Sequence, residues 1–282
     1  MPGATEARAT ELTHPSNIRP LFLLEVNSNS CACASGARAD AAPDMTRIAA
    51  ILPAAGLGTR MGAETPKQFL ELNGTPIVIL SLRRIASSPL VTELIVATRA
   101  DQIQHLEERI AKEKLKQPVR VIKGGDSRQD SVAAALREVP NEVEIVLVHD
   151  AVRPFVTVDQ ITRVIEETRR CHAAILGIPA MDTVKEVKRA SLPEDVALVT
   201  GTIPRERLVM AQTPQVFVTK LLKEAFARAQ SDGVNASDEA GLVERLGRDV
   251  HVVLGSERNM KITKPADMEL ARFYLDCEAQ KA

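Results

Sequence analysis

Between residues 52 and 70 the chain reads Leu52-Pro-Ala-Ala-Gly56-Leu-Gly58-Thr-Arg60-Met-Gly62, then Thr65-Pro-Lys67-Gln-Phe-Leu70. Glycines that follow an apolar run present backbone N–H groups with no side chains in the way, so an anion can come close. Arg60 and Lys67 place two positive charges near that loop. This is equipment for holding a triphosphate. The spacing matches neither G-x-x-x-x-G-K-[ST] nor G-x-G-x-x-G, so the loop is neither a Walker A nor a dinucleotide turn. Gly56-x-Gly58 alone would suit a tight turn with solvated basic neighbours equally well. Arg60, Met61-Gly62 and Pro66-Lys67 in register with it favour the phosphate reading.

Further polar blocks follow apolar runs: Gly124-Gly-Asp-Ser-Arg-Gln-Asp-Ser131 and His149-Asp-Ala-Val-Arg-Pro154. By residue type alone these remain open. Asp150 suits a helix N-cap, Gly124-Gly125 an ordinary turn, and Asp126 and Ser131 caps of a following helix. His149 reads as a packed histidine at a strand end. Thr183, Arg205 and Lys261 read as solvated surface. No Ser/His/Asp or Cys/His nucleophile set is apparent.

The elements that must carry these residues alternate from Thr46 onward. Apolar β-like runs fall at Arg47–Leu52, Glu93–Ala97, Val119–Ile122, Glu144–His149, Ala173–Ile178 and Val250–Leu254. Helical patterns lie at Ile77–Ser87, Ile103–Lys114, Ser127–Val139, Val158–Arg170, Val218–Gln230, Glu239–Leu246 and Pro265–Cys277. Ser127-x-x-Asp130 has the form of an acidic capping box, and Pro265 suits a first helical position. Such alternation predicts an α/β fold: a doubly wound, mostly parallel, Rossmann-like sheet whose ligand binds at the carboxyl ends of the strands. The Gly-rich loop falls there. Residues 179–213 break the rhythm, and their alternation predicts a protruding two-stranded arm.

The 282 residues carry a formal net charge of −1, which argues against a surface for nucleic acid. With no Trp, one Tyr and six Phe, a nucleobase would have to be read by backbone and small polar groups. Of the four cysteines, Cys31 and Cys33 have no second pair or nearby His to complete a zinc site, and a reduced cytoplasmic protein is expected. No run approaches a membrane span. Residues 1–44 lack strong periodicity and are expected to be a disordered extension, with Met45 an alternative start of translation. Residues 45–282 form the expected domain.

Read in order, these blocks, with Asp182-Thr183-Val-Lys185, Gln212-Thr-Pro-Gln-Val-Phe217, Ser237-Asp-Glu-Ala240 and Asn259-Met-Lys261-Ile-Thr263-Lys-Pro265, resemble those of the 2-C-methyl-D-erythritol 4-phosphate cytidylyltransferase family. The resemblance runs from about Thr46 to Asp276. It implies transfer of CMP from CTP to methylerythritol phosphate, with Mg2+ or another divalent cation. It implies that Pro53, Ala54, Ala55, Gly56 and Gly58 wrap the CTP phosphates, and that Arg60 and Lys67 act on the triphosphate. Gly125, Asp126 and Ser131 match positions around cytosine and ribose, with Arg128 in support. Asp150, Ala151 and Arg153 match the junction of ribose, metal region and sugar phosphate. Asp150 is then the carboxylate nearest a metal held mainly by phosphates and water. Thr183, Arg205, Ser237 and Lys261 match positions around the sugar phosphate and the reaction centre.

The resemblance also implies a homodimer whose arm, about 179–213, brings Thr183 and Arg205 to the partner's site. Two positions depart from the family pattern. Ser237 stands where Thr is common, keeping the hydroxyl, and Val152 stands where a second Ala is common, adding bulk to the pocket wall. A ribitol-5-phosphate cytidylyltransferase is the nearest alternative. A non-catalytic CTP-binding module is a second, against which the presence of both Arg60 and Lys67 argues.

Overall fold

The computed structural model describes residues 46–56, 66–188 and 195–280. Gly58, Arg60 and the N-terminal 44 residues lie outside the described residues. The chain divides into a larger unit within Ala41–Ala180 and Val209–Ala282 and a smaller one within Met181–Leu208.

The larger unit is built on β1 (Arg47–Ala54), whose residues Ile48 to Leu52 are completely buried. A strand apolar on both faces requires cover on both faces. Alternate residues point to opposite sides. Ile48, Ala50 and Leu52 pack with α1 (Ile77–Ala86), α2 (Ile103–Ala111) and α4 (Val158–Cys171). Ala49 and Ile51 pack with α3 (Arg128–Arg137), α5 (Thr219–Asp232) and α6 (Glu239–Glu244). The strands β4 (Glu93–Thr98), β6 (Val143–Val148) and β7 (Ala173–Pro179) divide their side chains in the same way. Full burial of each Leu, Ile or Val contributes roughly 1.5–3 kcal/mol, so this two-faced pattern dominates the stabilisation.

β5 (Val119–Lys123), β10 (Val209–Val218) and β11 (His251–Leu254) complete seven strands in the order β11-β7-β10-β6-β1-β4-β5. All neighbouring pairs are parallel except those of β10, which runs antiparallel to both β6 and β7. From β1 the chain builds outward to β4 and β5 on one side, then returns to lay β6 on the other. The β1/β6 boundary is therefore the switch point at which a ligand is expected.

Every helix and strand read from the sequence is present, with ends differing by at most a few residues. Ser127 and Asp130 form a reciprocal capping box, and Pro265 opens α7 (Pro265–Ala279). Two features lie outside the sequence expectations. One is β10. The other is the hairpin of β2 (Glu71–Leu72) and β3 (Thr75–Pro76), where Asn73 and Gly74 take positive φ of 48° and 76°.

In the smaller unit, β8 (Val184–Lys188) and β9 (Leu198–Ile203) form the antiparallel ribbon expected from the alternation. Val187, Leu198, Val199 and Ile203 are exposed on it. Val184 pairs with Ile203, which places Thr183 and Arg205 at the same end of the ribbon. There Arg205 Nη1 donates to the Met181 carbonyl at 2.7 Å.

Candidate active site

The segments after β1, β5 and β6 meet at the carboxyl end of the sheet around a cleft of roughly 250 Å3. Pro53, Ala54, Ala55 and Gly56 form one wall, and Lys67 stands in a single-turn 3-10 helix, Lys67–Phe69, beside them. The next residue, Gln68, is buried and ties that turn to the loop. Its Nε2 donates to the carbonyls of Ala54 at 2.6 Å and Gly56 at 3.0 Å.

Gly125 lines the second wall, and it and the preceding Gly124 are held by close approach. A Cβ on Gly124 would lie 2.7 Å from the Ala55 Cβ and 2.8 Å from Ser131 Oγ. A Cβ on Gly125 would lie 2.3 Å from the Asp130 Cβ. The Gly125 N–H donates to Ser131 Oγ at 3.1 Å, and the Ser131 hydroxyl donates to the Ser127 carbonyl at 2.9 Å. In this state Ser131 works as a staple for the turn. Asp126 is exposed on the cleft rim, and Ser127 and Arg128 at the start of α3 line the same cleft.

At the centre is Asp150, 5% exposed and directly after β6. Its Oδ1 accepts from Arg128 Nε at 3.0 Å. Its Oδ2 faces Lys261 Nζ at 3.0 Å and Arg153 Nε at 3.4 Å. Burial would push the carboxyl up, but Arg128, Lys261 and Arg153 outweigh it and hold Asp150 well below the usual carboxylate range. An acid held that low has no proton affinity to offer as a general base.

Arg153 is itself lowered by burial, and its Nη1 donates to the Asn259 carbonyl at 2.8 Å. On Arg128, burial acts to lower the guanidinium, and Glu239 and Asp150 more than reverse it. Lys261 is brought in because the Ile262 N–H donates to the Val152 carbonyl at 2.9 Å, stitching the segment before α7 to the turn after β6.

Beneath this cluster lies His149, fully buried. Its Nε2 is 2.9 Å from the Arg153 carbonyl, which only accepts, so the proton belongs on that nitrogen. Nδ1, 3.1 Å from Thr213 Oγ1, then accepts the threonine hydroxyl, while the Asp150 N–H donates to the same oxygen at 3.0 Å. This chain needs a neutral imidazole, and burial lowers its pKa to about 4. The reading of His149 as a packed strand-end residue agrees with that geometry.

A divalent cation does not fit on Asp150 in this arrangement. Both oxygens are committed to basic groups, whose nitrogens lie 3.0–3.4 Å from them, so a cation bound there would meet three positive charges. The expectation that Asp150 is the metal's carboxylate thus meets two oxygens that are already engaged by basic side chains. Among the described residues, Glu167, Cys171 and His251 form a group of metal-ligand types at ligand spacing, but they lie on α4 and β11 and none lines the cleft. A larger groove of roughly 860 Å3 between α3 and α5 shares the Gly124-Gly125 turn but holds none of the Asp150 network.

Of the residues singled out in the sequence, Pro53, Ala54, Ala55, Gly56, Lys67, Gly125, Asp126, Ser131, Asp150, Ala151 and Lys261 line this one cleft. Arg153 lies behind it, against Asp150. Ser237 is exposed just before α6 and is not among the lining residues, while Thr183 and Arg205 belong to the smaller unit. Sequence reasoning missed Gln68, Thr213, Asn259 and Glu239. Glu239 stands inside a block quoted for the resemblance, yet an acid at the start of a helix ordinarily reads as solvated, and only burial against Arg128 reveals otherwise.

Known proteins share the blocks and the fold. The family model described as IspD, 2-C-methyl-D-erythritol 4-phosphate cytidylyltransferase, matches residues 48–277. The 2-C-methyl-D-erythritol 4-phosphate cytidylyltransferase of Acidobacterium capsulatum is 51% identical over 235 residues, 81% of this chain and 97% of that protein. That of Solibacter usitatus is 48% identical over 243 residues, 84% of this chain and 98% of that protein. The crystal structure of 2-C-methyl-D-erythritol 4-phosphate cytidylyltransferase from Thermus thermophilus superposes with a TM-score of 0.64 at 34% identity, covering 81% of this chain and 98% of that one. With blocks, fold and cleft in agreement, the chain belongs to the 2-C-methyl-D-erythritol 4-phosphate cytidylyltransferase family.

Proposed function

We propose that this protein transfers CMP from CTP to 2-C-methyl-D-erythritol 4-phosphate, giving 4-diphosphocytidyl-2-C-methyl-D-erythritol and pyrophosphate. The observation that carries this reading is the cluster around Asp150. Three cations and two carboxylates leave an excess positive charge at the carboxyl end of β6, in the cleft that Lys67 also lines. In the reaction a phosphate monoester oxygen forms a bond to the α-phosphorus of CTP, and the bond to the bridging oxygen of pyrophosphate breaks. That nucleophile is already ionised near neutral pH, so the obstacle is anion meeting anion rather than a missing base. Alignment and neutralisation of charge are the means available to a protein. Lys67, with Arg60 from the glycine-rich loop, would stabilise the crowded α-phosphate and the departing pyrophosphate. Lys261 and Arg153, held by Asp150, would receive the sugar phosphate, with Ser237 beside them. Pro53 to Gly56, Gly58, Gly125, Asp126, Ser131 and Ala151 would enclose the nucleotide.

Mg2+ or another divalent cation would accompany CTP on its own phosphates, and no described side chain is assigned to it. We further propose a homodimer formed through the 179–213 arm, in which Thr183 and Arg205 serve the polyol phosphate of the partner's site. The cytoplasm is the proposed compartment because CTP is made there. Among the described residues no helix is long and apolar enough to cross a membrane. The deciding experiment is pyrophosphate release from CTP and Mg2+ with methylerythritol phosphate, and in parallel with ribitol 5-phosphate. Turnover with the first alone is expected. Preference for ribitol 5-phosphate, or nucleotide binding without turnover, would overturn the reading.

A further inference from the structure

We infer that Glu239 is a positioning residue for this site, a buried carboxylate that acts through Arg128 to fix Asp150 and the cations Asp150 holds. The inference rests on the function proposed above. Glu239 opens α6 and is 1% exposed. A carboxylate so buried is costly unless its partners satisfy it. Its two oxygens take parallel bonds from Arg128, Nη1 at 2.7 Å and Nη2 at 3.0 Å. The five N–H groups of a guanidinium lie in one plane, so fixing two of them fixes the direction of a third. That third is Nε–H, which donates to Asp150 Oδ1 at 3.0 Å. The rotamer of Asp150, and through Oδ2 the seats of Lys261 and Arg153, are thus set from a residue that does not line the cleft.

The anchor is itself fastened. Asp238 caps α6 by accepting the Gly241 N–H at 3.0 Å and also accepts Gln215 Nε2 at 2.8 Å. Gln129, next to Arg128 on α3, donates to the Val234 carbonyl at 3.0 Å and accepts the Ala236 N–H at 2.9 Å. The segment that delivers Glu239 is therefore bound to the helix that delivers Arg128. Removing the Glu239 charge would leave Arg128 with a single anionic partner in the protein. An incoming phosphate would then compete with Asp150 for it.

The test is a double-mutant cycle in the full chain, with wild-type turnover measured first and melting temperature recorded for every variant. Glu239→Gln keeps shape and removes charge. It is expected to lower kcat on the order of 10–100-fold, the scale of a small misplacement at a reacting centre, with the KM for CTP within about threefold. In an Arg128→Met background the same change is expected to cost less than about twofold, because its route to Asp150 is already cut. Wild-type kcat in Glu239→Gln, or losses that multiply, would overturn the inference, since a merely structural role does not depend on Arg128. Should Glu239→Gln not fold, Glu239→Asp keeps the charge and shortens the reach. A kcat lowered by about 3–10-fold is then expected on the same geometric ground, and a folded Glu239→Asp with wild-type kcat overturns the proposal. Absence of wild-type turnover would overturn the parent reading, and this one with it.

Discussion

Lys67 and Asp150 both carry charge into one cleft, and their surroundings give them different work. Asp150 is enclosed by partners and acts as a fixture. Lys67, on the 3-10 turn tied to the glycine-rich loop by Gln68, stands where negative charge would shift during phosphoryl transfer. A charge that matters more in the transition state than in the ground state lowers turnover when removed. Lys67→Ala is therefore expected to reduce kcat on the order of 10²–10³-fold while leaving the melting temperature nearly unchanged. Near wild-type kcat in the purified variant would remove Lys67 from the reaction. Lys67 was legible because it follows a glycine-rich loop that already calls for positive charge, whereas Asp150 behind an apolar strand stayed open to a capping role until the resemblance selected it. Thr213 and Glu239 were not legible, because nothing local distinguishes a threonine before Pro214 or an acid at a helix start from a solvated one. Their meaning depends on partners 64 and 111 residues away in the chain.

Among elements, the turn between β5 and α3 is the most tightly constrained. Gly125→Ala would drive a methyl into the Asp130 side chain, the same residue that closes the capping box of α3. Overpacking of this kind costs roughly 1–3 kcal/mol. Here it would also move the turn proposed to read the nucleotide. The expected result is a lower melting temperature together with a raised KM for CTP, both measurable on one preparation. An unchanged KM would free the turn from that role. The helices and outer strands were readable because their apolar spacing is strong. β10 was not, because Gln212-Thr-Pro-Gln215 has the composition of a polar turn. It is buried only because other side chains satisfy it. Gln212 Nε2 donates to the Ser256 carbonyl, Asn259 Nδ2 donates to the Thr213 carbonyl, and the Gln215 side chain bonds Asp238 and the Ala240 N–H. The β2–β3 hairpin escaped because two-residue strands are too short to show a period, although Asn73-Gly74 is a favoured hairpin pair.

At the scale of the whole molecule, His149 and Asp150 each link stability to acid with the same sign. His149 has a folded pKa of about 4 against an ordinary value of 6.5, so between those values the unfolded chain binds the extra proton and stability falls as pH drops. The loss amounts to about 3 kcal/mol and levels off below about pH 4. Asp150 is depressed in the folded state, so its contribution is complete above the unfolded carboxylate value near 4 and is lost only as pH falls further. Urea unfolding across a pH series should show both slopes, and His149→Gln should abolish the upper one; its persistence would place that titration elsewhere. The proposed dimer has its own test. Mixing inactive Arg205→Ala and Lys67→Ala subunits should restore part of the activity, since one site of a mixed dimer would carry both defects and the other neither. Verified heterodimers without recovery would confine Arg205 to its own subunit.

The antiparallel strand set between β6 and β7 also imposes an order on synthesis. β1, β4, β5 and β6 emerge first and can pair among themselves. The outer edge of β6 must then wait for a strand that ends at Val218, roughly 70 residues further along. At about 5–20 residues per second the delay is on the order of 4–14 s. An unpaired edge is a template for any other strand that meets it. The strand that joins the two halves of this sheet near its middle is thus a late one, so a pause in translation before residue 209 would leave the nascent chain open to pairing with a neighbour.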